Sequence, residues 1–262
     1  MTPLEHYQRD LAREGFVADA AQKLAISRLQ HLYDQLVASS GEVPSPTLLQ
    51  RLLRRPPAPA QLIRGLYFWG GVGRGKTYLM DVFFESLPFE RKLRAHFHRF
   101  MQRVHRDLKT LSGQKNPLDL IARNIAAEAR VICFDEFFVS DITDAMILGG
   151  LFEKLFGLGV TLVATSNIVP DDLYKDGLQR ARFLPAIAQL KQHCEVVNVD
   201  SGVDYRLRAL EQAELYHCPL DAEADRSLMR SFESLAPEQW QAAQSIEIEG
   251  RAINSRYLAD DV

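Results

Sequence analysis

Eight consecutive residues, Gly70-Gly71-Val72-Gly73-Arg74-Gly75-Lys76-Thr77, match the pattern G-x-x-x-x-G-K-[ST] at every fixed position. Glycines at these places let successive backbone N–H groups curl around phosphate oxygens, because no side chain obstructs the approach. A helix opening near Gly75 would add the positive end of its dipole. Lys76 then reaches the β- and γ-phosphates, and the Thr77 hydroxyl is an oxygen ligand suited to Mg²⁺. The chemistry of this octapeptide is nucleotide-phosphate binding, with ATP and Mg²⁺ as the expected ligands.

A second segment, Arg130-Val-Ile-Cys-Phe-Asp135-Glu136, is an apolar run that ends in two acids. Open α/β sheets bind ligands at the carboxyl ends of their strands, so these acids would sit at the ligand edge. Asp135 is the expected Mg²⁺ residue, and Glu136 could polarise an attacking water. A carboxylate beside the metal ligand suits hydrolysis, whereas phosphoryl transfer to a metabolite requires that water be kept out. ATP hydrolysis is therefore the expected reaction.

Further along, Thr165-Ser166-Asn167 closes another apolar run. Asn167 could hydrogen-bond the nucleophilic water or the γ-phosphate if its strand lies between the first and third, or it could simply favour the turn before Pro170. Arg180 and Arg182 are candidates for a guanidinium that neutralises transition-state charge, a contribution on the order of 10³ to 10⁵ in rate. A surface arginine can equally be a solvated side chain packing its stem.

These residues need a scaffold, and the chain reads as one. Five short apolar runs, at 65–69, 93–98, 129–134, 160–165 and 194–199, alternate with helical stretches such as 143–156 and 181–190. That alternation predicts an α/β fold, a five-stranded parallel sheet with helices on both faces. Residues 1–40 read as a helical N-terminal segment, with a helix over 19–38 opened by a capping-box pair, Asp19 and Gln22, and carrying Ala25, Leu29, Leu32 and Leu36 on one face. Five of the twelve prolines fall between 44 and 59, so 41–64 reads as a connector. The core is expected over 65–203. Beyond it, 204–262 reads as an α+β, lid-like region, with a possible strand within 207–216, a helix over 222–235 and a hairpin over 246–253.

Composition sets the outer bounds. The chain has 262 residues, 47% of them apolar and 25% charged, which excludes a collagen-like or wholly disordered chain. Its net charge of −3 excludes a uniformly basic nucleic-acid coat. Three cysteines, Cys133, Cys194 and Cys218, are no disulfide framework and suggest a reducing, cytoplasmic setting. The N-terminus lacks the basic and apolar regions of a signal peptide, and no run of about 18 apolar residues suggests a membrane span.

Charge is distributed unevenly. Residues 91–109 hold seven Lys/Arg against one acid, Asp107, together with His96, His98, His105, Phe97 and Phe100. Four readings stand open for this strip. His96 and His98 could share a strand face as a metal pair, though a third and fourth ligand are wanting. A basic-aromatic strip could bind single-stranded nucleic acid. Phe100-Met101 could form a substrate-gripping loop, or the arginines could merely be solvated.

In the order of phosphate loop, Asp-Glu strand, Asn-ended strand and arginines, the chain resembles the AAA+ ATPases. More narrowly it is similar to the AFG-like ATPases in four segments, 65–77, 97–105, 134–148 and 204–206. The resemblance implies a P-loop fold of AAA+ type in which Lys76 and Thr77 bind nucleotide and Mg²⁺, Asp135 and Glu136 form the acidic pair, and Asn167 is a first sensor. It also implies Arg180 as an arginine finger acting across a subunit interface of an ATP-dependent homo-oligomer, without separating it from Arg182, and Arg206 as a second sensor. Bacterial members are associated with cell division, which makes FtsZ and the Z-ring the expected partner and the division site the expected location. A helicase loader or a nucleotide-gated scaffold with little turnover is the alternative. Relatives typically continue past the hairpin, so the lid-like end is expected to be shortened.

Overall fold

The computed structural model describes residues 1–12, 19–40, 62–200, 222–235, 241–242, 245–248 and 251–258. The chain divides into two compact units, Met1–Gly202 and Val203–Val262.

The first unit is built on five parallel strands. These are β1 (Gly65–Trp69), β2 (Lys92–His96), β3 (Val131–Asp135), β4 (Thr161–Ser166) and β5 (Cys194–Asn198), in the spatial order β2-β3-β4-β1-β5. Because side chains alternate along a strand, each strand feeds two cores. Tyr67, Ile132, Phe134, Leu162 and Ala164 face one side, where α4 (Phe97–Thr110), α5 (Pro117–Glu128), α6 (Ile142–Gly157) and α7 (Leu184–His193) cover them. Leu66, Phe68, Val131, Cys133 and Val163 face the other, against α3 (Lys76–Ser86).

The N-terminal helices close that second side. Helix α1 (Pro3–Leu11) and helix α2 (Ala20–Ser40) bring Tyr7, Leu29, Leu32 and Leu36 into the same core as Leu79 and Phe83 of α3. The stripe expected on 19–38 is therefore buried against the sheet and α3. Helix α1 lies within the segment expected to be helical but was not singled out there, and its signal is complete: Thr2 Oγ1 accepts from the Glu5 N–H at 3.3 Å, Glu5 returns an acceptor to the Thr2 N–H at 2.9 Å, and Pro3 opens the helix. At α2 the expected reciprocal pair is only half present. Asp19 accepts from the Ala21 N–H at 2.9 Å, whereas Gln22 is buried and turned toward Gly75.

The strand expected over 93–98 ends at His96, and Phe97 and His98 already belong to α4. A shared strand face for His96 and His98 is thereby excluded, although their ring centroids lie 6.0 Å apart. Apolar residues at 97, 100, 101 and 104 follow the helical period and are all buried, and this tertiary burial overrides the strand-like look of the run.

In the second unit, α8 (Ala222–Leu235) is the expected helix. Strands β7 (Ser245–Ile248) and β8 (Arg251–Asn254) form the expected hairpin, with Ile246 opposite Ile253, and β6 (Gln241–Ala242) pairs with β9 (Tyr257–Leu258). The strand anticipated within 207–216 and Arg206 lie outside the described residues. Among the described residues no helix is long and apolar enough to cross a membrane.

Candidate active site

Parallel strands put all their carboxyl ends on one edge, and β4 lies between β1 and β3. The registers Trp69↔Ser166 and Phe134↔Ala164 bring the phosphate loop after β1, Asn167 after β4 and Asp135-Glu136 at the end of β3 to that edge. The spatial condition on Asn167 is met, and its side chain is exposed there.

Within the phosphate loop, Gly73 and Gly75 have φ of 73° and 75°, in the left-handed region that favours glycine, and Gly75 caps α3. A methyl group at Gly75 would lie 2.5 Å from Gln22 Nε2, so the Gln22 side chain would have to shift, and the left-handed φ disfavours any side chain there. Lys76 Nζ donates to the carbonyls of Gly70 and Gly71 at 2.8 and 2.7 Å, which holds its ammonium over the loop. The loop also takes an anionic oxygen from within the chain. Asp200, just past β5, accepts from the Gly71 N–H at 3.2 Å and pairs with Arg74 Nε at 2.9 Å. A loop that receives a carboxylate through a backbone N–H and a guanidinium has donors suited to phosphate. Asp200 was missed in the sequence, and its signal is positional: it is the first acid beyond the strand adjoining β1.

Asp135 is buried, with its carboxylate turned toward Arg94 of β2. Arg94 Nε donates to Asp135 Oδ2 at 2.7 Å and a terminal nitrogen lies 3.4 Å from Oδ1, while the other terminal nitrogen donates to Asp81 of α3. Partial burial works against the Arg94 charge, but the hydrogen bonds and charges of Asp135 and Asp81 outweigh it and hold the guanidinium pKa above its ordinary value. Thr77 is exposed in the first turn of α3. A hydroxyl on one element and a carboxylate on the next are the hard oxygen donors that Mg²⁺ takes, so the residues fit that ion.

Glu136 has a φ of 54°, unusual for a residue with a side chain, and its carboxylate is exposed. A strained backbone of this kind costs of order 1–3 kcal/mol and persists only where neighbours enforce it. Here the enforcing contacts come from β4. The Glu136 N–H donates to Thr165 Oγ1 at 3.3 Å, the Phe137 N–H to the Thr165 carbonyl at 2.7 Å, and Ser166 Oγ to the Phe137 carbonyl at 2.7 Å. Phe137 is then anchored in the core, its ring 4.4 Å from that of Phe97. His96 Nδ1 stands 3.8 Å from Glu136 Oε2. The result is a fixed turn that presents an exposed carboxylate beside Asp135, a geometry that can orient a water.

Arg180 and Arg182 share one short 3₁₀ turn, Arg180–Arg182, and differ in surroundings. Arg180 is half-buried and donates to the Asp171 carbonyl, whereas Arg182 is exposed.

The basic strip is largely spent within the fold. Lys92 donates to the Phe84 and Leu87 carbonyls, Arg91 to the Ala126 carbonyl, and Arg103 to Glu128, while His105 pairs with Asp144 at 2.6 Å. Phe97 and Phe100 are buried, which removes the stacking platform a single-strand binder needs. Phe100-Met101 are buried in α4 and form no gripping loop. Among the described residues no three of His, Cys, Asp and Glu gather as a metal site, so His96 and His98 find no third ligand from those types.

Known proteins resemble this chain in family and in fold. The family model for AFG1-like ATPases matches residues 1–262. The cell division protein ZapE of Escherichia coli K12 is 51% identical over 258 residues, spanning 97% of this chain and 69% of that protein. Lactation elevated protein 1 homolog B of Danio rerio is 42% identical over 211 residues, 75% of this chain and 41% of that protein. Among solved structures, the replication initiator DnaA bound to AMPPCP and single-stranded DNA aligns with a TM-score of 0.50 at 16% identity, covering 84% of this chain and 61% of that one, a likeness of fold alone.

Proposed function

The chain belongs to the AFG1-like ATPase family, an ATP hydrolase with the AAA+ P-loop fold, and on that premise we propose that it couples ATP turnover to remodelling or positioning of the bacterial division polymer FtsZ. One observation carries the catalytic part: three neighbouring strand ends, β1, β4 and β3, bring the phosphate loop, Asn167 and Asp135-Glu136 together.

In this reading the backbone N–H groups of 70–77 and the Lys76 ammonium bind the ATP phosphates. Thr77 and Asp135 hold Mg²⁺, which when bound draws charge from the β- and γ-phosphate oxygens. Glu136 orients the attacking water and takes up its proton, and Asn167 senses the γ-phosphate. Arg180 reaches the nucleotide of a neighbouring copy in an ATP-dependent homo-oligomer, after leaving the Asp171 carbonyl to which it donates. Arg206 serves as the second sensor. The protein acts in the cytoplasm and is recruited to the division site. The partner assignment rests on kinship with a cell division protein.

Light scattering of purified FtsZ polymers tests the partner, with this chain added in the presence and absence of ATP. An ATP-dependent change in polymer signal, absent with Lys76→Ala, is expected; an identical signal in both conditions would remove FtsZ as the target. Replacing Arg180 with alanine is expected to abolish turnover at concentrations where the wild type assembles. Full turnover in that variant, with loss in Arg182→Ala, would move the finger by two residues.

A further inference from the structure

Arg94 ties together two elements of the site. Its guanidinium meets Asp135 at the end of β3 and Asp81 of α3, and Asp81 lies four residues after Thr77 on the same helix face. Lys92, Arg94 and His96 run in register with Val131, Cys133 and Asp135, so Arg94 starts two residues short of Asp135 and extends along the sheet to reach it. Cys133, directly opposite Arg94, faces the core that contains α3, which explains why α3 can present Asp81 to the same guanidinium.

The charge balance follows. Without Arg94, two carboxylates would stand beside the place where a nucleotide brings several negative phosphate oxygens. Arg94 leaves the trio with one net negative charge, and it supplies that compensation whether or not a cation is bound. We propose that Arg94 is a positioning residue that balances Asp135 and Asp81, holds the Asp135 carboxylate in place, and thereby sets how strongly nucleotide binding depends on Mg²⁺. The proposal rests on Asp135 being the Mg²⁺ residue. It assigns a role to one of the seven cations of the basic strip over 91–109.

The test measures ATPγS affinity by calorimetry in Mg²⁺ and in EDTA. For Arg94→Gln, affinity in EDTA is expected to fall about tenfold, the scale of one unit charge at short range in a partly screened site, while affinity in Mg²⁺ changes much less. Arg94→Lys, which keeps the charge, is expected to stay near wild type, and adding Asp81→Asn to Arg94→Gln is expected to recover most of the EDTA affinity. Asp81→Asn alone tightens Mg²⁺-free binding, which keeps the test decisive if Arg94→Gln fails to fold. Equal losses with and without Mg²⁺ in Arg94→Gln, or an unchanged ratio in Asp81→Asn, would overturn the proposal. Asp135→Asn separates it from the underlying reading: if that variant retains the full affinity gain from Mg²⁺, the Mg²⁺ assignment fails instead.

Discussion

The Ser166 hydroxyl donates to the Phe137 carbonyl at 2.7 Å, so the last residue of β4 holds the turn that carries Glu136. The same oxygen accepts the Ile168 N–H at 3.2 Å, which places one buried hydroxyl between the acidic turn and the Asn167 turn. Ser166→Ala removes both bonds and leaves the Phe137 carbonyl buried without that donor. A loss of about 1–2 kcal/mol in stability is expected, measured by urea denaturation. Because the Glu136 turn loses its tether, kcat should fall about tenfold with little change in KM. Unchanged kcat would show that Ser166 serves stability alone.

Glu136 occupies a left-handed backbone position, so stability and activity compete at this residue. Glu136→Gly relieves the strain and removes the carboxylate. An increase of up to about 1 kcal/mol in unfolding free energy is expected, the relief being partly offset by the greater freedom of glycine in the unfolded chain. Turnover should fall by about 10² to 10⁴, the usual contribution of a general base. A less stable Glu136→Gly protein would mean that the strain is not a property of the backbone at this site.

His193 stacks on Phe156 with ring centroids 4.3 Å apart, and burial holds its pKa below the ordinary 6.5. The unfolded chain therefore binds a proton at His193 before the folded chain does. Stability from this residue is complete above pH 6.5 and declines as pH falls toward the lower folded value. Melting temperature measured from pH 7.5 to 5.5 should decline less in His193→Gln than in the wild type. An equal decline in both proteins would show that other groups govern this window.

Much of the fold was legible because its signals are local. The phosphate loop, the Asp135-Glu136 strand end and all five strands announce themselves within a few residues, and so does the 245–254 hairpin; the end of the second strand was misplaced, at 98 instead of 96. The strand order is a different matter, since nothing near Thr165 says that β4 will lie between β1 and β3. Arg94 and Asp200 were hidden for the same reason: the bonds to Asp135 and to Gly71 that bring them to the site span 41 and 129 residues of the chain. The basic strip stayed ambiguous in the sequence because charge alone does not show burial. Helix α4 turns Phe97, Phe100 and Met101 inward, and Arg91, Lys92, Arg94 and Arg103 find carbonyls or carboxylates within the fold. The bounds of helix α1 were legible too, because Thr2, Pro3 and Glu5 carry a complete start signal within the 1–40 segment expected to be helical.

The central claim is that the phosphate loop binds ATP and Glu136 promotes its hydrolysis, and parallel measurement of ATP affinity and single-turnover γ-phosphate release tests it most directly. Lys76→Ala is expected to lose nucleotide binding. Glu136→Gln is expected to bind ATP as the wild type does while γ-phosphate release nearly stops. Wild-type release from Glu136→Gln, or undiminished ATP affinity in Lys76→Ala, would contradict the account.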